Sequence, residues 1–131
     1  SGSYLYAFLS GSTIIMLFER NSEAPTLLAL LILAYPITEI VFSIIRKSLK
    51  KFSPMEPDNL HIHQLIYNKL NGEKKFRNNL ASLIMAFFWL SPLLLVILSV
   101  QTNLKNLLLY LLYFSFYILS YYGLSKNNLY K

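Results

Sequence analysis

A chain of 131 residues is long enough for one ordinary domain. It is 55% hydrophobic and 14% charged, whereas a soluble domain carries roughly 25% charged residues, which argues against a soluble globule and still more against disorder. The absence of cysteine rules out disulfides and thiolate chemistry, and a net charge of +6 on so apolar a chain points to membrane orientation and anionic headgroups or phosphates rather than nucleic acid.

The chain opens on Ser1-Gly2-Ser3, without a methionine and without a basic segment ahead of its first apolar run. That is not a signal-peptide pattern, and a fragment of a longer protein is expected. Four apolar stretches follow, at about residues 4–18, 26–45, 80–100 and 104–122. A helix needs roughly 20 mainly apolar residues to cross the hydrocarbon core. Three stretches meet that length; the first meets it only if its polar ends reach the interfaces or pack inside protein. The runs are continuous rather than alternating, which favours helices over strands. The expected fold is therefore all-α: a polytopic membrane helix bundle of four transmembrane helices.

The connections between these stretches are unequal. Residues 19–25 and 101–103 are tight turns, whereas residues 46–77 form one long polar loop. That loop holds eight of the twelve basic residues. The positive-inside rule places it in the cytoplasm, and two spans on each side bring both termini there too. Within it, Ser53-Pro54-Met55-Glu56-Pro57-Asp58-Asn59 is turn-forming. Residues 60–70 read as a short amphipathic helix, with Asp58 or Asn59 as its cap and Asn71-Gly72 as its stop. Leu60, His63, Tyr67 and Leu70 share one face, and Ile62, Leu65 and Ile66 form another apolar strip. Such a helix lies at the membrane interface or folds back over the bundle.

His61 and His63 are the first chemical candidates, suited to phosphate binding, proton transfer or metal binding. The plain alternative is two interfacial histidines on a solvated loop. If the segment is helical throughout, the two point about 200° apart. A metal site is not expected there, because only Asp58 and Glu56 lie near enough in sequence to complete a ligand set. Glu39 is the second candidate. It sits in an apolar helix, two turns before Arg46 and on the same face. A carboxylate there needs protein, water or a partner around it; a structural bond between helices is weighed slightly above a catalytic role. The run Arg46, Lys47, Lys50 and Lys51 anchors the topology, and Arg46 is the member best suited to bidentate contact with phosphate. Tyr110, Tyr113, Tyr117 and Tyr121 form a stripe at helical spacing, read as packing and interface anchoring without chemistry. Gly2, Ser3, Gly11 and Ser12 are small residues that let helices approach closely; Gly2 alternatively belongs to a tight turn.

Taken in order, four segments resemble the polyprenyl-phosphate N-acetylhexosamine-1-phosphate transferases. Ser1-Gly2-Ser3-Tyr4-Leu5-Tyr6-Ala7-Phe8-Leu9 is similar to the tail of the family's Gly-Asp-x-Gly-Ser motif and the helix it opens. Pro36-Ile37-Thr38-Glu39 is similar to the stretch before the family's histidine loop, and Arg46-Lys47 to the basic pair ending that helix. Pro57-Asp58-Asn59-Leu60-His61-Ile62-His63-Gln64 resembles the Pro-Asp-x-x-His-hydrophobic-His-His loop. The likeness covers about residues 1–72 and departs from the pattern at Gln64, which stands where the family has a third histidine.

The resemblance implies that residues 1–131 are the C-terminal membrane portion of a larger enzyme. That enzyme would move a sugar-1-phosphate from a UDP-N-acetylhexosamine to undecaprenyl phosphate at the cytoplasmic face of the inner membrane, releasing UMP. The product would serve peptidoglycan, teichoic acid, common antigen or lipopolysaccharide synthesis. His61 and His63 would be catalytic. Arg46, Lys47 and Asp58 would contact substrate or orient the loop, while Glu39, Gly2 and Ser3 would support the site. Mg²⁺ would be held by acids upstream of Ser1, so the fragment alone is expected to be inactive. The expected partners are the two substrates and the lipid bilayer, with no nucleic acid; a homodimer is among the assemblies allowed. Two alternatives stand: a non-catalytic four-helix membrane module, and a transporter fragment using His61, His63 and Glu39.

Overall fold

Backbone polar groups inside a bilayer must pair within their own segment, so continuous apolar runs fold as helices. The computed structural model describes residues 2–51, 53, 60–97 and 102–126, and among these all regular structure is helical. The first helix, α1 (Gly2–Arg20), includes Gly2 as its first residue, not as part of a turn. No side chain described on α1 is buried. A Cβ built on Gly11 would meet nothing within 4 Å, so the close helix approach expected there is not found. The side chains of Gly2 and Ser3 lie outside the described residues.

The stretch 26–45 is not a single helix. Pro36 has no N–H to give the carbonyl of Ile32, and the chain breaks at Leu33 into α2 (Leu28–Ile32) and α3 (Ala34–Leu49). Helical bonds resume at once: Ile37 N–H donates to the Leu33 carbonyl at 3.1 Å. α3 then runs past residue 45 and ends where Lys51 takes a left-handed φ of 59°. The long polar loop is accordingly shorter than its composition suggests. It contains the last turn of α3, the short α4 (Ile62–Lys69), and the start of α5 (Lys74–Ile97). Asp58 and Asn59, the expected caps of α4, lie outside the described residues; the residue at the cap position is His61. Gly72 makes the turn into α5 at a φ of +113°. The last helix is α6 (Asn103–Ser125).

Of these helices, α5 and α6 are long and apolar enough to cross a membrane by length and composition. Among the described residues, two of the four expected spans are helices of that length and composition; α2 and α3 are each shorter after the break, and α1 carries Ser10, Gly11, Ser12 and Thr13 at its centre.

α6 supplies the core through one stripe: Tyr110, Tyr113, Tyr117 and Tyr121 are all buried. Phe42 of α3 meets the edges of Tyr117 and Tyr121 at ring-centroid distances of 5.6 and 4.6 Å. Each tyrosine hydroxyl also answers a polar group. Thr38 Oγ1 donates to Tyr110 Oη at 3.3 Å. Tyr113 Oη donates to the Phe88 carbonyl at 3.0 Å, the carbonyl that Pro92 leaves without its helical donor; that bond lets α5 continue through a buried proline. The remaining contacts join Glu39 to Tyr117 and Arg46 to Tyr121. Because these contacts rise together along both helices, α3 and α6 run parallel. α5 runs the other way, with the Trp89 ring tilted against that of Tyr35, near the start of α3, at a centroid distance of 4.9 Å.

α4 folds back over the bundle. Ile62, Leu65 and Ile66 are 0%, 1% and 3% exposed, so the strip Ile62-Leu65-Ile66 is the one that faces the core. Two cations fasten the helix. Lys69 Nζ donates to the Gly123 carbonyl at 2.9 Å, near the negative end of α6, and Arg77 donates to the Tyr67 carbonyl at 2.9 Å with its guanidinium 4.1 Å from the Tyr67 ring centroid.

Candidate active site at the head of the bundle

The break before α3 and the return of α4 bring Glu39 and His61 together across 22 residues. His61 Nδ1 lies 2.8 Å from Glu39 Oε1. The other carboxylate oxygen, Oε2, accepts from the Tyr117 hydroxyl. The side chains of Glu39 and His61 are 15% and 33% exposed, so the carboxylate is largely sheltered and the imidazole stands between it and the outside. A carboxylate only accepts, so the neutral ring carries its proton on Nδ1 and its lone pair on Nε2. This is the relation by which a carboxylate fixes tautomer and orientation in acid–base sites.

His61 is placed by its backbone as well. Its φ of −72° and ψ of 149° are extended, so it sits just outside α4. Its N–H donates to Gln64 Oε1 at 3.4 Å, the side chain of the third helical residue reaching back to the cap. The extended backbone also corrects the expected opposition of the two histidines. The His61 and His63 rings are stacked, with centroids 5.8 Å apart and planes at 11°. His63 is exposed on the first turn of α4. Gln64 thus has a cap-bonding role that the family comparison alone did not indicate.

Arg46 is 8% exposed and points inward. Its Nη1 donates to the Leu60 carbonyl at 2.7 Å and to the Tyr121 hydroxyl at 2.6 Å, and Nη2 donates to Ser43 Oγ at 3.4 Å. The guanidinium therefore holds the backbone immediately before His61. Lys47 is half-buried on the last turn of α3, and Asp58 lies outside the described residues.

Beside this cluster a groove of about 1150 Å³ opens between α4 and α5, with His63 on its rim. A Mg²⁺ site needs several oxygen ligands. Among the described residues no cluster of three or more His, Cys, Asp or Glu forms, and Glu39 is already engaged by His61 and Tyr117. The residues described here do not fit that ion.

The sequence reading missed the tyrosines. Their spacing was plain, but the signal for chemistry lay in pairing: a stripe of hydroxyls is of use to a neighbouring helix that carries Thr38, Glu39 and Arg46.

The described residues are all-helical, with two helices long and apolar enough to cross a membrane, and bring a carboxylate against a histidine. Among curated proteins the chain is similar to an undecaprenyl-phosphate alpha-N-acetylglucosaminyl 1-phosphate transferase of Thermotoga maritima, at 36% identity over 75 residues, or 56% of this chain and 24% of that protein. The matched part thus spans about a quarter of the relative's length. No family model matches the chain, and no solved structure matches it.

Proposed function

We propose that this chain is the C-terminal membrane portion of an enzyme transferring a sugar-1-phosphate from a UDP-N-acetylhexosamine to undecaprenyl phosphate. The observation that carries this reading is the Glu39–His61 pair at the end of the bundle, and the similarity to the Thermotoga transferase supports it. In this reading the basic loop, both chain ends and the site face the cytoplasm, as the charge asymmetry favours, in the inner membrane.

In the reaction an oxygen of the lipid phosphate attacks the phosphorus that bears the sugar. One phosphorus–oxygen bond forms, the bond to UMP breaks, and UMP leaves with the electron pair. Negative charge builds on phosphate oxygens throughout, so catalysis consists mainly of positioning and electrostatic stabilisation. His61, held by Glu39, presents Nε2 to those oxygens and donates a hydrogen bond when protonated. Glu39 and Tyr117 act through His61 and are positioning residues. Arg46 fixes the backbone that carries His61.

The test uses membranes containing the longer protein that carries this chain, supplied with UDP-N-acetylhexosamine, undecaprenyl phosphate and Mg²⁺. UMP and a lipid-linked diphospho-sugar are expected. A full-length, membrane-inserted protein that releases no UMP from any UDP-N-acetylhexosamine would overturn the proposal and leave a non-catalytic membrane module.

A further inference from the structure

A second buried polar group lies toward the other end of the bundle, away from His61. Asn106, on the first turn of α6, is 0% exposed, and among the described residues neither its Oδ1 nor its Nδ2 has a partner. Contacts on either side of it set the register. Asn103 Oδ1 accepts from the Leu27 N–H at 2.9 Å, just ahead of α2. One turn beyond Asn106, Tyr110 Oη accepts from Thr38 Oγ1 at 3.3 Å. Because α3 and α6 run parallel, Ala34 stands to Asn106 as Thr38 stands to Tyr110, four residues back on each helix. Ala34 is also 0% exposed. It is the first residue of α3, so its N–H has no carbonyl within its own helix. The bonds that cross the break pass from Leu33–Ala29 to Ile37–Leu33 and skip the pair Ala34–Leu30. The register therefore sets a buried side-chain amide beside a break in the helical ladder. At Thr38 and Tyr110 a hydroxyl and a phenol span the distance between the helices; a methyl and an amide span less of it.

We propose that Asn106 and the break between α2 and α3 form a binding site for one internal water molecule. The water accepts from the Ala34 N–H, donates to the Leu30 carbonyl and takes a third bond with the Asn106 amide. Three bonds are the usual complement of a buried water, and insertion of water into the helical ladder is a recognised cause of a bend. The chemistry selects this occupant. The groups offered are neutral, so an ion would be left without a counter-charge, and an apolar ligand would leave the amide and the N–H unanswered. The site stands whether or not the chain belongs to a transferase. Its consequence for the head of the bundle is mechanical: Glu39 lies five residues beyond Ala34 on the same helix, so the water fixes the start of the helix that presents the carboxylate.

Solid-state NMR of the full-length protein in lipid bilayers tests the site, with magnetisation transferred from water to amides. Carbonyl-labelled leucine combined with nitrogen-labelled alanine singles out Ala29, Ala34 and Ala81 within this chain, each of which follows a leucine. Lysine–asparagine labelling does the same for Asn106, which follows Lys105. Ala34 and the Asn106 side-chain amide should receive magnetisation from water although both are fully buried. Ala81, buried within α5, should receive none. In Asn106→Leu the Ala34 transfer should be lost, and thermal unfolding should fall by roughly 2–4 °C, because removing one partner leaves the break without its third contact. Were the amide simply dry, leucine of similar size would raise the unfolding temperature instead. No transfer to Ala34 or Asn106 in the unsubstituted protein would overturn the site, and this spectrum decides even if the variant fails to fold. An undiminished Ala34 signal, or a higher unfolding temperature, in a folded Asn106→Leu protein would overturn it too.

Discussion

Replacing His61 by alanine in the longer protein is expected to slow UMP release by about a hundredfold, the usual loss when a contact that strengthens in the transition state is removed. The site explains the size of the effect. Nε2 of His61 is oriented by a sheltered carboxylate at 2.8 Å, and its ring is further held by stacking on His63. Insertion and folding should be unaffected, because the residue is only partly buried and lies outside the spans. His63→Ala should also lower turnover, through the loss of the stacked ring and of a donor on the groove rim. Gln64→Ala removes only the return bond to the His61 N–H and should cost about 0.5–1 kcal/mol of local order. The measurement is UMP release by membranes, normalised to protein amount. Near-normal rates in both histidine variants would remove α4 from the active site.

The second large effect is expected at Arg46. Arg46→Ala deletes charge-assisted hydrogen bonds to the Leu60 carbonyl and the Tyr121 hydroxyl, each contributing roughly 1.5–3 kcal/mol. It also removes the guanidinium lying 5.4 Å from the Tyr121 ring centroid. Because Leu60 precedes His61, the loss should appear both as stability and as position. Thermal unfolding in detergent should fall, and hydrogen exchange at the start of α4 should accelerate. Arg46→Lys should recover little, since an ammonium reproduces neither the fork nor the stacking. If Arg46 instead served only to bind substrate, its removal would raise KM and leave unfolding and exchange unchanged.

The helical character of the chain was legible from composition and from the length of its apolar runs, because no water is present in a bilayer to pair an unfolded backbone. Two departures have local causes. Pro36 splits the second apolar run, an effect that hydropathy averages away. The basic segment after Arg46 folds for much of its length, because Ile62, Leu65 and Ile66 carry enough apolar surface to bring α4 back onto the bundle. Glu39, Arg46 and the histidines could be picked out singly, since charge in an apolar helix and His-x-His in a polar loop are conspicuous. Their pairing could not. The contact between Glu39 and His61 depends on where α4 lands, and the assignment of His61 outside the helix reverses the facing that regular helical spacing predicts. The tyrosine stripe shows the same limit: its period marks a buried face, whereas the Phe88 carbonyl freed by Pro92 and the carboxylate of Glu39 are met only in three dimensions.

The central claim is that Glu39 fixes the tautomer of His61. The chain has two histidines, so the ring nitrogens can be resolved by long-range proton–nitrogen correlation on histidine-labelled protein in detergent, with His63→Gln to assign the signals. At a pH where the rings are neutral, the account predicts that His61 carries its proton on Nδ1 and that Glu39→Ala abolishes this preference. A His61 ring protonated on Nε2, the form that free imidazole side chains favour, would contradict it.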